Sequence, residues 1–145
     1  MSILKSAYSR IALLALLVAA GVVLWQQFQP LPAKAQRIAC ADLVAGCTAA
    51  TADGPVALGI SEKIRPLQPF EIWVKPPRPG KIEADFSMVN MNMGYNLYTL
   101  RPGPDGTYRV KATLPFCISG RGDWILTLRL PGAALEVPFT TEALQ

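Results

Sequence analysis

Histidine does not occur in this 145-residue chain, and its absence removes several chemistries at once. A Ser-His-Asp triad, a histidine-bearing zinc site, a Cys-x-x-Cys-His haem attachment and an imidazole general base are all excluded. Cysteine is scarce, at three residues, and no two stand at the Cys-x-x-Cys spacing of thiol oxidoreductases. Charge is thin as well: 17% of residues are charged, for a formal net charge of +4. Internal repeats and low-complexity tracts are lacking. What is present is apolar material, 51% of the chain, and thirteen prolines. That composition is too apolar for disorder, and the length suits one domain plus an appendage.

The apolar excess is concentrated at the amino end. Ile11 to Trp25 is an unbroken apolar run preceded by Lys5 and Arg10. Continued through Phe28 it reaches 18 residues, which at about 1.5 Å per residue spans about 27 Å, just enough for a hydrocarbon core of roughly 30 Å. The flanking cations place the amino terminus in the cytoplasm and export everything beyond Phe28, with Trp25 at an interfacial belt position. A cleaved signal peptide competes with this anchor, because Ala33-Lys34-Ala35 is an Ala-x-Ala site. The ten residues from Gln26 to Ala35, two of them proline, separate that site from the apolar run and favour the anchor. A lipid-attachment reading at Cys47 after Val44-Ala45-Gly46 lies far beyond the run. The expected organisation is a cytoplasmic stub and transmembrane helix (or signal peptide) over 1–28, a linker with Cys40 and Cys47 over 29–50, and an exported β domain over 51–145.

Setting aside Lys5, Arg10 and Lys34 leaves eleven basic residues against all ten acidic ones, so the exported part carries only +1. A nucleic-acid surface needs a clustered basic face, and no such cluster is visible.

Turn signals recur every 8 to 12 residues or so beyond the linker, the pattern of an all-β sandwich or barrel. Strands are expected at Val56–Ile60, Phe70–Lys75, Lys81–Met88, Tyr95–Leu100, Thr107–Leu114, Asp123–Leu130 and Ala134–Thr140. Three of them alternate: Ile82, Ala84, Phe86, Met88; Tyr108, Val110, Ala112, Leu114; and Trp124, Leu126, Leu128, Leu130. Residues two apart share a sheet face, so each set can enter one core while Glu83, Asp85, Arg109, Lys111, Thr127 and Arg129 face water. Pro76-Pro77-Arg78-Pro79-Gly80 and Pro102-Gly103-Pro104-Asp105-Gly106 supply the turn chemistry between them. Seven short strands in about 100 residues is an immunoglobulin-like count, without that family's Cys-Trp-Cys spacing. Only Ala39 to Ala50 offers a short helix.

Apart from the initiator, every methionine lies in Met88-Val89-Asn90-Met91-Asn92-Met93. Thioethers are soft ligands that favour Cu(I), and a turn at Asn92-Met93-Gly94 can aim several sulfurs at one point. The competing reading makes the same methionines adaptable packing at the end of the sandwich, or a partner-binding surface. Cys40 and Cys47 can close a short disulfide loop, leaving Cys117 free to join Met88, Met91 and Met93 as a fourth soft ligand. A Cys117 disulfide to either of the other cysteines would abolish that ligand. No carboxylate pair is marked for general acid/base work, so no enzymatic activity is expected. Arg121-Gly122-Asp123 reads as a turn into the Trp124 strand.

Met91-x-Met93-Gly94, Gly106-x-Tyr108 opening an alternating strand, and Gly120 followed by Trp124-Ile125-Leu126 together resemble the small bacterial β-sandwich domains of the YtkA and FixH type, over roughly Phe70 to Leu130. The layout is similar too: one amino-terminal membrane segment, then an exported sandwich. The resemblance implies a single-pass protein of the bacterial inner membrane with its domain in the periplasm. It also implies a role in copper delivery to, or assembly of, a respiratory membrane complex such as an oxidase. Copper-linked members often carry histidine beside the Met-Gly motif; here Tyr95 stands there. A structural accessory subunit without metal is the alternative, its transmembrane helix and one sandwich face packing against a larger membrane protein.

Overall fold

The structure is a computed structural model that describes residues 14–23, 34–89, 91, 96–115 and 122–141. Two compact units divide the chain, Met1–Ala33 and Lys34–Gln145. In the first, residues 14–23 are helical, and Leu14, Leu16, Leu17, Val18, Val22 and Val23 are all exposed. Among the described residues no helix is long and apolar enough to cross a membrane; both flanks of the expected span over 11–28 lie outside them.

The second unit is all β. Among its described residues there are nine strands: β1 (Gln36–Arg37), β2 (Cys47–Thr51), β3 (Gly54–Ile60), β4 (Pro69–Lys75), β5 (Ile82–Met88), β6 (Leu97–Pro102), β7 (Tyr108–Thr113), β8 (Asp123–Leu130) and β9 (Ala133–Thr140). They make one curled mixed sheet in the order β1-β9-β8-β5-β6-β7-β4-β3-β2, with β1 parallel to β9 and every other pairing antiparallel. The curl turns on β6. Its residues Leu97 to Leu100 pair with β5, and Arg101 and Pro102 pair with β7.

Among the described residues the strand count is therefore nine rather than seven. All seven expected strands are present as β3 to β9, and the two additions lie in the segment expected to be linker or short helix. Physical causes for the difference are local. Cys40 and Cys47 are disulfide-bonded with their Cα atoms 5.8 Å apart, the Asp42 carboxylate accepts the Val44 N–H at 2.8 Å, and Gly46 sits at φ +81°, which a helix does not allow. The chain leaves β9 after Ile38, whose N–H donates to the Glu136 carbonyl at 2.9 Å, and joins β3 from Cys47 onward. Between them Leu43 is buried in the core, and its carbonyl accepts the Ile60 N–H at 2.9 Å.

The alternation in β5 and β8 is realised as read. Ile82, Ala84, Phe86 and Met88 are buried, as are Trp124, Leu126 and Leu128, while Glu83, Asp85, Thr127 and Arg129 lie on the other face. On that outer face Lys81 pairs with Glu83 at 2.7 Å and Arg129 meets Asp85 at 3.8 Å. Phe70 on β4 meets Phe86 on β5 edge to face at 5.8 Å between centroids, so strands that are not neighbours in the sheet share one hydrophobic cluster. The Trp73 indole covers Gly59 and Gly46 so closely that a Cβ at Gly59 would stand 2.6 Å from the ring. Glycine at 59 is thus a packing requirement as well as a strand residue.

The β6–β7 turn follows the chemistry of its prolines and glycines. Gly106 takes φ +74°, and the Asp105 carboxylate accepts the Thr107 N–H at 3.1 Å. Hydrogen bonds from Thr107, then Arg109 at 3.2 Å, hold the Asp105 carboxyl below its ordinary value of 3.8. A folded-state value below the unfolded one contributes stability that is present above the unfolded pKa and is lost as pH falls through the folded one. A carboxyl-carbon NMR titration should place the Asp105 midpoint below 3.8, and Thr107→Ala should raise it. A midpoint at or above 3.8 in the native protein would contradict this turn geometry.

Candidate functional site

Met88 is the last residue of β5, and the strand's alternation carries it inward. It is 3% exposed and stands opposite Trp124, the second residue of β8. Three residues on, Met91 is 41% exposed, and its N–H donates to the Met88 carbonyl at 3.2 Å. The methionine run is thereby split between the core and the surface. Met93 and Cys117 lie outside the described residues, as do Asn90, Asn92, Gly94 and Tyr95.

The strand register places the described ends of the two sulfur-bearing segments together. Val89 donates its N–H to the Asp123 carbonyl at 3.4 Å, so the exit from β5 lies beside the entry to β8. The entry is fixed by Gly122, whose carbonyl accepts the Thr141 N–H at 2.8 Å and whose Cα packs against the Thr141 carbonyl. Segment 89–96 therefore begins where segment 115–122 ends, at one end of the fold.

Asn96 is a residue that sequence patterning did not single out. Its carbonyl accepts the Phe86 N–H at 3.4 Å, and its side-chain Nδ2 is buried without a hydrogen-bond partner among the described residues. An asparagine at a strand entry looks like ordinary turn chemistry in sequence, so nothing there marks it.

Among the described residues no three histidine, cysteine, aspartate or glutamate side chains converge as a metal group. The carboxylates with close partners are matched to cations: Asp53 to Arg78 at 2.6 Å, Glu83 to Lys81 at 2.7 Å, Asp105 and Glu71 to Arg109 at 3.2 and 3.4 Å. These pairs are exposed or half-buried, where solvent screens an ion pair and leaves it a small contribution.

A second feature lies where the 38–46 crossing meets the ends of β3 and β9. A cavity of about 520 Å³ opens there, lined by residues 40 to 44, Ile60, residues 63 to 65 and residues 138 to 140. Sequence periodicity gave no sign of it, because its walls come from four separate stretches that only the tertiary fold assembles.

Comparison with protein-family models, with curated proteins and with solved structures returns no match for this chain.

Proposed function

We propose that this chain is an exported, membrane-tethered accessory domain that presents soft sulfur ligands for Cu(I), serving copper delivery to, or assembly of, a membrane respiratory complex. One observation carries the reading: the β5–β8 register, with Met88 opposite Trp124, brings the flanks of the methionine segment and of the Cys117 segment to one end of the fold. Met88 supports this end from the core, and Met91, Met93 and Cys117 are the ligands, a sulfur set suited to Cu(I). Export is supported by the Cys40–Cys47 disulfide, a bond that persists in oxidising compartments. Tethering is supported by the helix over 14–23 with its exposed leucines and valines, at the centre of a run of spanning length.

The architecture is read as an immunoglobulin-like sandwich. The β3-β4-β7-β6 order corresponds to the A-B-E-D sheet, and β5-β8-β9 to C-F-G.

A structural accessory subunit is the second reading, favoured by the burial of Met88, which makes at least one methionine a packing residue. Cu(I) titration of the full chain against a competing chelator separates the two. Met91→Leu, Met93→Leu and Cys117→Ser should each weaken Cu(I) binding by about tenfold or more, the scale seen when even outer-shell support of a metal is lost. Met88→Leu should leave it within about twofold, because a volume-conserving core swap preserves the end of β5. Equal, weak binding by the wild type and by a Met91→Leu/Met93→Leu/Cys117→Ser triple variant would remove the copper reading in favour of the structural one.

A further inference from the structure

We infer that the outer face of β4 and β7, with the Arg101 end of β6 beside them, is a docking surface for the anionic head groups of a phospholipid bilayer. The face carries no candidate copper ligand, so the inference is independent of the copper proposal and takes from the tethered reading only that a bilayer is at hand.

Register builds the face. Phe70, Ile72 and Val74 of β4 point into the core, as do Tyr108 and Ala112 of β7, which turns Trp73, Lys75, Arg109 and Lys111 outward. Arg109 stands between Trp73 on β4 and Arg101 on β6, and Lys111 stands opposite Glu71. Neighbouring strands lie about 4.8 Å apart, so Lys75, Arg101, Arg109 and Lys111, drawn from three strands, share one small area. In sequence they are scattered, and no basic run announces them.

Charge selects the partner. Two carboxylates accompany these cations, those of Glu71 and Asp105, and both are taken by Arg109, at 3.4 and 3.2 Å. Among the described residues Lys75, Arg101 and Lys111 have no carboxylate partner, and all three are exposed. The outer face of β1, β9, β8 and β5 differs: Arg37, Lys81 and Arg129 are balanced there by Glu136, Glu83 and Asp85. The excess of cations therefore belongs to one face of a nearly neutral domain. It is complementary to a layer of phosphates, whose oxygens arginine and lysine bind by charge-assisted hydrogen bonds.

Shape favours a surface over a protein anchor. Beyond Trp73 the same face continues through Gly59 and Ala57 on β3 to Thr48 on β2, all small residues. Trp73 is half-buried, with its ring laid over Gly59 and Gly46. Small residues around a flattened indole suit a planar array of head groups, the level of a bilayer at which tryptophan is enriched. A protein partner is held by anchors packed into pockets, and the cavities at the 40–44 segment, at the Pro76–Arg78 turn and beside Pro69 have none of these cations in their walls.

The test uses the isotope-labelled full chain with nanodiscs of phosphatidylcholine, or of phosphatidylcholine and phosphatidylglycerol, each carrying a lipid with a nitroxide on its head group. Co-elution of the chain with the discs tests the tether; the difference between the two lipid compositions tests the face, whether or not the chain is inserted. The expected result is paramagnetic broadening of the amides of residues 73, 75, 101, 109 and 111 in the phosphatidylglycerol discs, beyond that of residues 83, 85, 127 and 129. It should vanish in about 1 M salt, where the screening length is about 3 Å. Lys75→Ser/Arg101→Ser/Lys111→Ser, which alters only exposed side chains without ion pairs, should lower the docked-to-free ratio by about tenfold or more, whereas Lys81→Ser/Arg129→Ser on the balanced face should leave it within about twofold. Equal broadening in both lipid compositions, a footprint on residues 83–85 and 127–129, or undiminished broadening in the triple serine variant would overturn the proposal. So would shifts of the same amides by a soluble polyglutamate peptide with no response to phosphatidylglycerol, which would assign the face to an acidic protein.

Discussion

Phe86→Ala is expected to destabilise the β domain by about 3–5 kcal/mol, the range for removing a buried phenylalanine, and to be the most damaging single truncation in the core. Phe86 is 1% exposed at the middle of β5, and its ring meets three others edge to face. Phe70 on β4 lies at 5.8 Å, Tyr98 on β6 at 6.1 Å and Phe139 on β9 at 6.2 Å, with interplanar angles of 79°, 76° and 81°. Each such pair adds about 0.5–1.5 kcal/mol beyond the area it buries. A cavity at this position would also be hard to collapse, because its walls are strands held by ladders on either side. Urea denaturation should show a lower midpoint at unchanged slope. Met91→Ala, at an exposed position, should stay within about 0.5 kcal/mol of wild type. A loss below about 1 kcal/mol for Phe86→Ala would mean that the four rings do not form one packed centre.

Removal of the disulfide ranks second. For a loop of this length, with the two cysteines 7 apart in sequence, the chain-entropy estimate is about 2.5 kcal/mol. Cys40→Ser/Cys47→Ser should therefore lower stability by about 2–3 kcal/mol in urea. Loosening of the loop also frees Leu43 from the core and its carbonyl from Ile60. Trp73 reports on this directly, because its ring lies over Gly46 inside the loop and over Gly59 on β3. Its fluorescence should shift toward that of an exposed indole before the global transition. An unchanged urea midpoint together with native Trp73 emission would show that Leu43 burial and the Ile60 hydrogen bond hold the crossing without the disulfide.

Which elements could be read in advance depended on whether their signal was local. β5 and β8 carry long alternating runs, so a one-residue slip would expose every large side chain, and the inward set is dictated by the pattern itself. β7 behaves similarly, with Val110 half-buried among buried Tyr108 and Ala112. β2, Cys-Thr-Ala-Ala-Thr, is short and has no large apolar side chain; β1 is Gln-Arg. Neither has a propensity that outweighs a loop. β2 exists because β3 pairs with it over five residues, and β1 because β9 offers an open edge. The Cys40–Cys47 pairing was readable from proximity in the chain. The short helix for which Ala39 to Ala50 offered the one opening does not form, because the disulfide, the Asp42 loop contact and the positive φ of Gly46 compete with it.

The candidate metal end divides in the same way. Three methionines in six residues and an unmatched third cysteine are facts of composition, and in a histidine-free chain they are what raises the expectation of soft sulfur ligation. That the two segments begin and end side by side is a property of β5 pairing with β8, strands separated by two others in the chain, and no local pattern encodes it. Met88 shows how the levels meet: its place in the run suggests a ligand, whereas its place in the β5 alternation sends it into the core at 3% exposure. The cavity where the 38–46 crossing meets β3 and β9 is wholly a tertiary product, assembled from four stretches that share no sequence motif. By itself the sequence determined the all-β character, most strand positions, the short disulfide and the absence of imidazole chemistry, because each rests on residue type or near-neighbour spacing. The tertiary structure alone decided the partners of the outer strands, the side-by-side placement of the exit from β5 and the entry to β8, and the place of the cavity, because those depend on long-range pairing between segments that carry no record of one another.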